Sequence, residues 1–151
     1  MSATERSHQR GARLAAKAVA AEVMRERLAT LRAELGADGL SKWADRVDVI
    51  SRIAALKAVA EYVRRSSSFF VAGTPRVLDP ETRSRHMQRV TALAGEIDKL
   101  ADAAAGGPVT YQPFEAILRE LHKSGVWPES SLVSEVARAF HRDRDTAGKP
   151  V

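Results

Sequence analysis

The chain contains no cysteine, so disulfide bonds and thiolate chemistry are excluded and we expect a reducing compartment. It also lacks a long apolar stretch. The longest uncharged run, residues 103–114, is too short to span a bilayer and is interrupted by glycine and proline. Residues 1–13 are polar and charged, unlike a signal peptide. These absences predict a cytoplasmic protein with no membrane partner.

Motifs for catalysis and metal binding are absent as well. The histidines are scattered, and none has the i, i+4 partner of a helical zinc site; they are His8, His86, His122 and His141. Gly106-Gly107 lacks the lysine and the strand–helix context of a phosphate-binding loop. The sequence therefore predicts a protein that is not an enzyme, with no cofactor and no metal ion.

Helical periodicity covers most of the chain. Apolar residues recur at three- and four-residue steps over residues 3–35, which predicts a helix with one apolar seam. The predicted seam consists of Leu14, Ala18, Ala21, Met24, Leu28, Leu31 and Leu35. A second pattern, over residues 43–63, has an unusually broad apolar face, which predicts a central helix touched on several sides.

Residues 66–78 interrupt this periodicity with three serines and the pair Phe69-Phe70, which predicts an ordered loop or a short extended piece. Asp79-Pro80 predicts the start of a third helix, which runs to about Ala104, because aspartate caps a helix and proline suits its first turn. Gly95 lies inside this helix at a cost of about 1 kcal/mol relative to alanine. Either another helix crosses closely there or the helix bends, and we favour the crossing.

Two shorter helices follow the break at residues 106–108. The first has its apolar face at Phe114, Ile117, Leu118 and Leu121 and ends near Ser124-Gly125. The second starts at Ser130 and Ser131. Trp127, in their connection, is expected either to anchor this hairpin or to form part of a partner surface. The predicted fold is all-α, a compact bundle of three long and two short helices. Residues 1–145 form its single domain, and 146–151 form a flexible tail.

The charge is distributed unevenly along the sequence. The net charge is +5, and residues 64–95 carry six bases against two acids, or +4, whereas residues 96–135 carry three bases against seven acids, or −4. Four cations near the N-terminus recur at spacings of four, three and four, so a helix presents them on one face. A protein with separated signs has one face suited to a polyanion and another that is not.

Ten cations are the candidate contacts to a nucleic-acid backbone, because arginine and lysine neutralise phosphates without reading sequence. They are Arg6, Arg10, Arg13, Lys17, Arg64, Arg65, Arg76, Arg83, Arg85 and Arg89. The alternative is that these residues are simply the solvated outer faces of amphipathic helices. Phe69 and Phe70 lie among the bases, where they could stack on unpaired nucleobases or seal the bundle as a plug.

In length, in predicted helix content and in the clusters Arg6–Lys17 and Arg64–Arg89, the chain resembles the small all-α subunits of CRISPR effector complexes. The resemblance is one of overall character. It implies a non-catalytic basic bundle that packs along a ribonucleoprotein filament and supports the guide or target strand, RNA or DNA.

The predicted function is that of a subunit of a nucleoprotein assembly, with nucleic acid and other protein subunits as partners. The alternative is a protein–protein adaptor, chaperone or phage structural module with no nucleic-acid role. Such a module would bind through residues 24–35 or through the acidic stretch 96–135. Opposite charges on two faces also permit self-association, head to tail.

Overall fold

The computed structural model describes residues 3–35, 40–73, 79–107 and 109–148, with side chains given for all of these except 5, 40–45, 67–73 and 142–148. The described residues form only helices and their connections, which confirms the all-α prediction. There are five helices in this part of the chain: α1 (Ala3–Leu35), α2 (Leu40–Gly73), α3 (Pro80–Gly106), α4 (Gln112–Lys123) and α5 (Ser130–Gly148).

The second helix is the centre of the bundle, as its broad apolar face predicts. α2 packs against α1, α3 and α5, and α3 also packs against α4. Residues on several sides of α2 are buried, among them Leu56, Val59, Ala60 and Val63. At about 25 cal/mol per Å² of apolar surface, this central packing is the main source of stability for the helices around it.

Neighbouring helices run antiparallel to α2. Along α1, Lys17 lies in one groove with Ala58, whereas Glu34 pairs with Arg46 at 3.3 Å. Residues later in α1 therefore contact residues earlier in α2, so the two helices are antiparallel. The same holds for α3, since Asp98 pairs with Arg64 and Asp102 pairs with Lys57. One end of the bundle thus contains the N-terminal halves of α1 and α3 together with the C-terminal half of α2.

The helix α3 starts as Asp79-Pro80 predicts. The Asp79 carboxylate accepts a hydrogen bond from the Thr82 backbone N–H at 2.7 Å, and Pro80 occupies the first helical position. These amide contacts lower the pKa of Asp79, because they stabilise its charged form.

The end of α4 is a Schellman motif. The N–H of Gly125 donates to the carbonyl of His122 at 3.0 Å, and the N–H of Val126 donates to that of Leu121 at 2.9 Å. Gly125 has a φ of 79°, the left-handed conformation that this motif requires. Val126 and Leu121 are both buried, which supplies the apolar contact that accompanies the motif. The chain then leads through Trp127 into α5.

The core draws on α3, α4 and α5 and includes the four apolar residues predicted for α4. Phe114, Ile97, Leu121 and Val136 are among its fully buried side chains. The predicted α1 seam is only partly buried, since Leu31 is buried whereas Leu14, Ala18 and Ala21 are exposed. Leu14 is 55% exposed. Ala12 and Ala16 occupy the buried positions of this half of the helix, because their small side chains let α1 and α2 approach closely.

Two other predictions are corrected. Residues 66–73 continue α2 as helix instead of forming a loop, and the Ser66 hydroxyl donates to the Tyr62 carbonyl one turn back at 2.5 Å, which satisfies it within the helix. None of the described helices crosses at Gly95, where an added Cβ would meet no atom of another described element within 4 Å. The helix α5 extends to Gly148.

Candidate nucleic-acid interface

The predicted cations are gathered at one end of the bundle, where the folded chain interleaves them with carboxylates. The antiparallel packing places the N-terminal half of α1 beside the C-terminal half of α2, and it brings α3 to the other side of α2. Four of the carboxylates that pair with these cations come from different parts of the fold. Glu61 lies in α2, Asp98 in α3, Glu120 in α4 and Glu129 in the connection before α5. Three of the four come from the acidic stretch 96–135.

Arg64 and Arg65 are held within this network. Arg64 donates to Asp98 at 2.5 Å and to Glu61 at 3.3 Å, and Arg65 donates to Glu61 at 2.8 Å. The hydrogen bond from Arg65 and the charge of both guanidinium groups keep the pKa of Glu61 below its ordinary value of 4.5. Lys57 adds a second cation to the far side of Asp98, at 3.3 Å. These charges therefore join α2 to α3 instead of standing free.

Two of the three predicted cations of α3 are also paired. Arg89 reaches Glu120 of α4 at 2.5 Å, and Arg85 meets Glu81 one turn earlier at 3.2 Å in an exposed pair. The pKa of Glu120 is lowered mainly by Lys123 and also by Arg89, because both cations stabilise the charged carboxylate. Arg83 is exposed and has no ion-pair partner in the part of the chain that the structure describes. Arg76 lies outside the described residues.

Of the four predicted cations of α1, one is paired and three have no ion-pair partner among the described side chains. Arg13 donates to Glu129 at 3.1 Å, beside Tyr62, whose pKa is raised by burial and by the Glu129 charge. Arg6, Arg10 and Lys17 are exposed and make no ion pair with any side chain in the described ranges. We call these three residues the α1 cation stripe.

The sequence predicts the ten cations but not which carboxylates pair with five of them. Glu120 and Glu129 belong to the acidic stretch 96–135, through which the alternative protein–protein module is predicted to bind. The available signal was the equal and opposite charge of residues 64–95 and 96–135, which antiparallel helices can bring together. Of the ten predicted residues, the structure therefore places Arg13, Arg64, Arg65, Arg85 and Arg89 in ion pairs.

Three aromatic residues in this region are candidates from the sequence, and the structure describes the side chain of one of them, Trp127. The backbone of Phe69 and Phe70 belongs to α2, and their side chains lie outside the described set. Trp127 is 62% exposed, and its ring stacks on that of His122 with centroids 3.9 Å apart and planes inclined by 15°. Among the described side chains, Trp127, in the connection between α4 and α5, is therefore an exposed aromatic at this end of the bundle.

Two grooves flank the central helix. One, of about 460 Å³, runs between α1 and α5, with Ala54, Ala55 and Ala58 of α2 at its floor and Lys17 at its rim. The other, of about 760 Å³, lies between α1, α2 and the end of α3, and it mixes Arg27 and Glu26 with apolar residues. In the described portion of the chain, no three His, Asp or Glu side chains are grouped so that they could hold a metal ion.

Comparisons with protein-family models, with curated proteins and with solved structures found no match to this chain. Among the helices described, none combines the length and apolar character needed to cross a membrane.

Proposed function

We propose that the protein is a non-catalytic helical-bundle subunit of a nucleoprotein assembly, and that α1 contacts the nucleic-acid backbone without reading its sequence. The observation that carries the proposal is the α1 cation stripe. Arg6, Arg10 and Lys17 are exposed on one helix, and no described side chain forms an ion pair with them.

The geometry of the stripe suits a chain of phosphates. Eleven residues separate Arg6 from Lys17 in the sequence, which corresponds to about 16 Å along the helix axis. Guanidinium groups match phosphate oxygens with paired donors, and each phosphate neutralised releases counterions. Cations near a helix N-terminus oppose the helix dipole, so Arg6 carries a local cost that a bound anion would relieve.

The cations between residues 64 and 89 contribute less in this proposal. Arg64, Arg65 and Arg89 already have carboxylate partners, and an arriving phosphate would have to displace them. Arg83 is the exposed exception and would extend the contact. The resemblance to the small subunits of CRISPR effector complexes makes a ribonucleoprotein filament the first assembly to test, with other subunits, or further copies of this chain, as protein partners.

A protein–protein module with no nucleic-acid role is the second candidate, and exposed Leu14 is the observation that favours it. The surfaces first expected for such a module are largely occupied within the fold. Leu31, in the stretch 24–35, is buried. In the acidic stretch, Asp98, Glu120 and Glu129 are all engaged by cations of this chain.

The test is binding of fluorescent mixed-sequence oligonucleotides, single-stranded and duplex, measured by anisotropy at low salt. The triple variant Arg6→Gln, Arg10→Gln, Lys17→Gln removes the stripe. We expect it to lose at least about tenfold in affinity for both probes, because three phosphate contacts disappear.

The matched control removes the same number of exposed cations elsewhere: Arg27→Gln, Arg32→Gln and Lys99→Gln. None of these three has an ion-pair partner within the described ranges. We expect the control variant to bind within about twofold of wild type if position, and not net charge, decides affinity. Equal losses in both variants, or no binding by the wild-type protein, would contradict the proposal, and circular dichroism would show whether each variant keeps its helices.

A further inference from the structure

Trp127 is held in place although it is exposed. Its neighbours Val126 and Pro128 are both buried, so the chain is anchored on either side of the indole. The Schellman motif at the end of α4 fixes the backbone just before it. On one face the ring is covered by His122, in a near-parallel stack. Although one face is covered, the residue is 62% exposed.

A fixed aromatic plane is suited to binding another flat ring. Stacking on an aromatic side chain is strongest when the side chain is already ordered, because little conformational entropy is then lost on binding. Every nucleobase has a π-face, so a stacking platform tolerates any base but requires that the base be unpaired. Because His122 covers one face of the Trp127 ring, a base would stack on the opposite face.

This platform lies beside the α1 cation stripe. Glu129 is two residues after Trp127 and accepts the hydrogen bond from Arg13 at 3.1 Å. Two residues of extended chain span about 7 Å, so the Trp127 backbone is near the helix face that carries Arg13. Arg10 and Lys17 are three and four residues from Arg13, one turn of α1 in either direction. The aromatic plane and the unpaired cations therefore share one end of the bundle.

We infer that Trp127 stacks an unpaired nucleobase while the α1 cation stripe contacts the phosphates, so that the site selects single-stranded nucleic acid over duplex. The inference rests on the proposed function and names its ligand class. In a duplex each base is already stacked and paired, so only the phosphate contacts would remain available. Lys123, exposed on the last turn of α4, already pairs with Glu120 at 3.4 Å, so the phosphate contacts in this inference come from α1.

The experiment compares Trp127→Ala with wild type on three probes of about 16 nucleotides. The probes are a mixed-sequence single strand, the corresponding duplex, and an abasic strand that keeps the sugar–phosphate chain without bases. We expect Trp127→Ala to lose about tenfold or more in affinity for the single strand, and to bind the duplex and the abasic strand within about twofold of wild type.

The conservative variant Trp127→Phe separates stacking from structure. It keeps an aromatic face of smaller area, so we expect it to recover most of the affinity for the single strand. Stacking should also quench tryptophan emission on binding of the single strand in wild type, and this quenching should be absent in Trp127→Phe.

The outcomes distinguish the two levels of the proposal. If wild type binds all three probes alike, and the stripe variant but not Trp127→Ala loses affinity, the backbone contact stands and the stacking inference is overturned. Equal losses by Trp127→Ala on all three probes also overturn it. If wild type binds none of the probes, both proposals fail, and an apolar protein partner for Trp127 becomes the alternative.

Discussion

Gly95 lies inside a helix and Gly125 lies just after the end of one, and their backbone conformations give them opposite roles. Gly95 lies within α3 in ordinary helical geometry, with no atom near the place that a side chain would occupy. Gly125 has a φ of 79° in the motif that ends α4. The first glycine costs helix stability without a packing gain, and the second is required by the turn that positions Trp127.

Alanine substitution at the two positions should therefore change the free energy of unfolding in opposite directions. We expect Gly95→Ala to stabilise the protein by about 1 kcal/mol, through higher helix propensity alone. Gly125→Ala should destabilise it by about 1–2 kcal/mol, because alanine is strained in the left-handed conformation. Urea unfolding followed by circular dichroism measures both; a loss of stability in Gly95→Ala would mean that α3 is more crowded there than the structure indicates.

Single residues also explain where sequence reasoning succeeded. Asp79-Pro80 combines a cap with a preset φ, and Gly125 follows the last apolar residue of α4, so both helix boundaries could be predicted from local chemistry. Ser66 could not be assigned in this way. Its hydroxyl bonds back to Tyr62 inside the helix, and a serine gives the same local signal whether it ends a helix or continues one.

At the scale of helices, α1 shows the limit of choosing an apolar face by side-chain size. The bulky residues pointed to a seam through Leu14, whereas the fold buries Ala12 and Ala16 at 5% and 0% exposure. Close approach of two helices favours small side chains, and their contribution depends on the partner helix. The identity of the seam is therefore a property of the α1–α2 pair, which the α1 sequence alone does not contain.

The ion pairs between α2 and α3 are the second feature at this scale. One oxygen of Asp98 accepts a hydrogen bond from Arg64 at 2.5 Å. The other oxygen lies 3.3 Å from the Lys57 ammonium, and this contact is an ion pair that lacks hydrogen-bond geometry. Its side chain is 25% exposed, whereas that of Asp102, which pairs only with Lys57, is 68% exposed. Asp98 is therefore the carboxylate on which the network depends.

Asp98→Asn should lower the free energy of unfolding by about 1–2 kcal/mol, because it removes the negative charge between two partly buried cations. The matched substitution Asp102→Asn removes the same charge from an exposed position. It should cost no more than about 0.5 kcal/mol. Thermal and urea unfolding of the two variants give the comparison, and equal effects would show that the network contributes no more than an ordinary surface pair.

In the whole molecule, folding brings together the basic and acidic stretches that are separate along the sequence. The basic stretch 64–95 and the acidic stretch 96–135 meet through the pairs Arg64–Asp98 and Arg89–Glu120. The sequence could predict an all-α bundle and the location of its cations, because both follow from periodicity and composition. Which cations stay without partners depends on helix order in space, and this could not be predicted from spacing.

Two consequences follow for binding and assembly. Of the ten predicted cations, Arg6, Arg10, Lys17 and Arg83 have no ion-pair partner in the described residues, and three of these four are on α1. Head-to-tail self-association also has less charge to draw on, since five of the seven carboxylates of the acidic stretch pair with cations of the same chain. Self-association remains a prediction, which sedimentation at two ionic strengths would examine.

The most direct test is the salt dependence of binding to a single-stranded oligonucleotide, compared between two triple variants. One removes the α1 cation stripe, Arg6, Arg10 and Lys17, and the other changes Arg83, Arg85 and Arg89 to glutamine. For single strands, each phosphate contact contributes about 0.7 to the slope of log affinity against log salt concentration. We predict that the stripe variant lowers the slope by about 2 and that the second variant lowers it by less than about 1. The opposite result, with the slope kept in the stripe variant and lost in the other, would contradict the assignment of the nucleic-acid contact to α1.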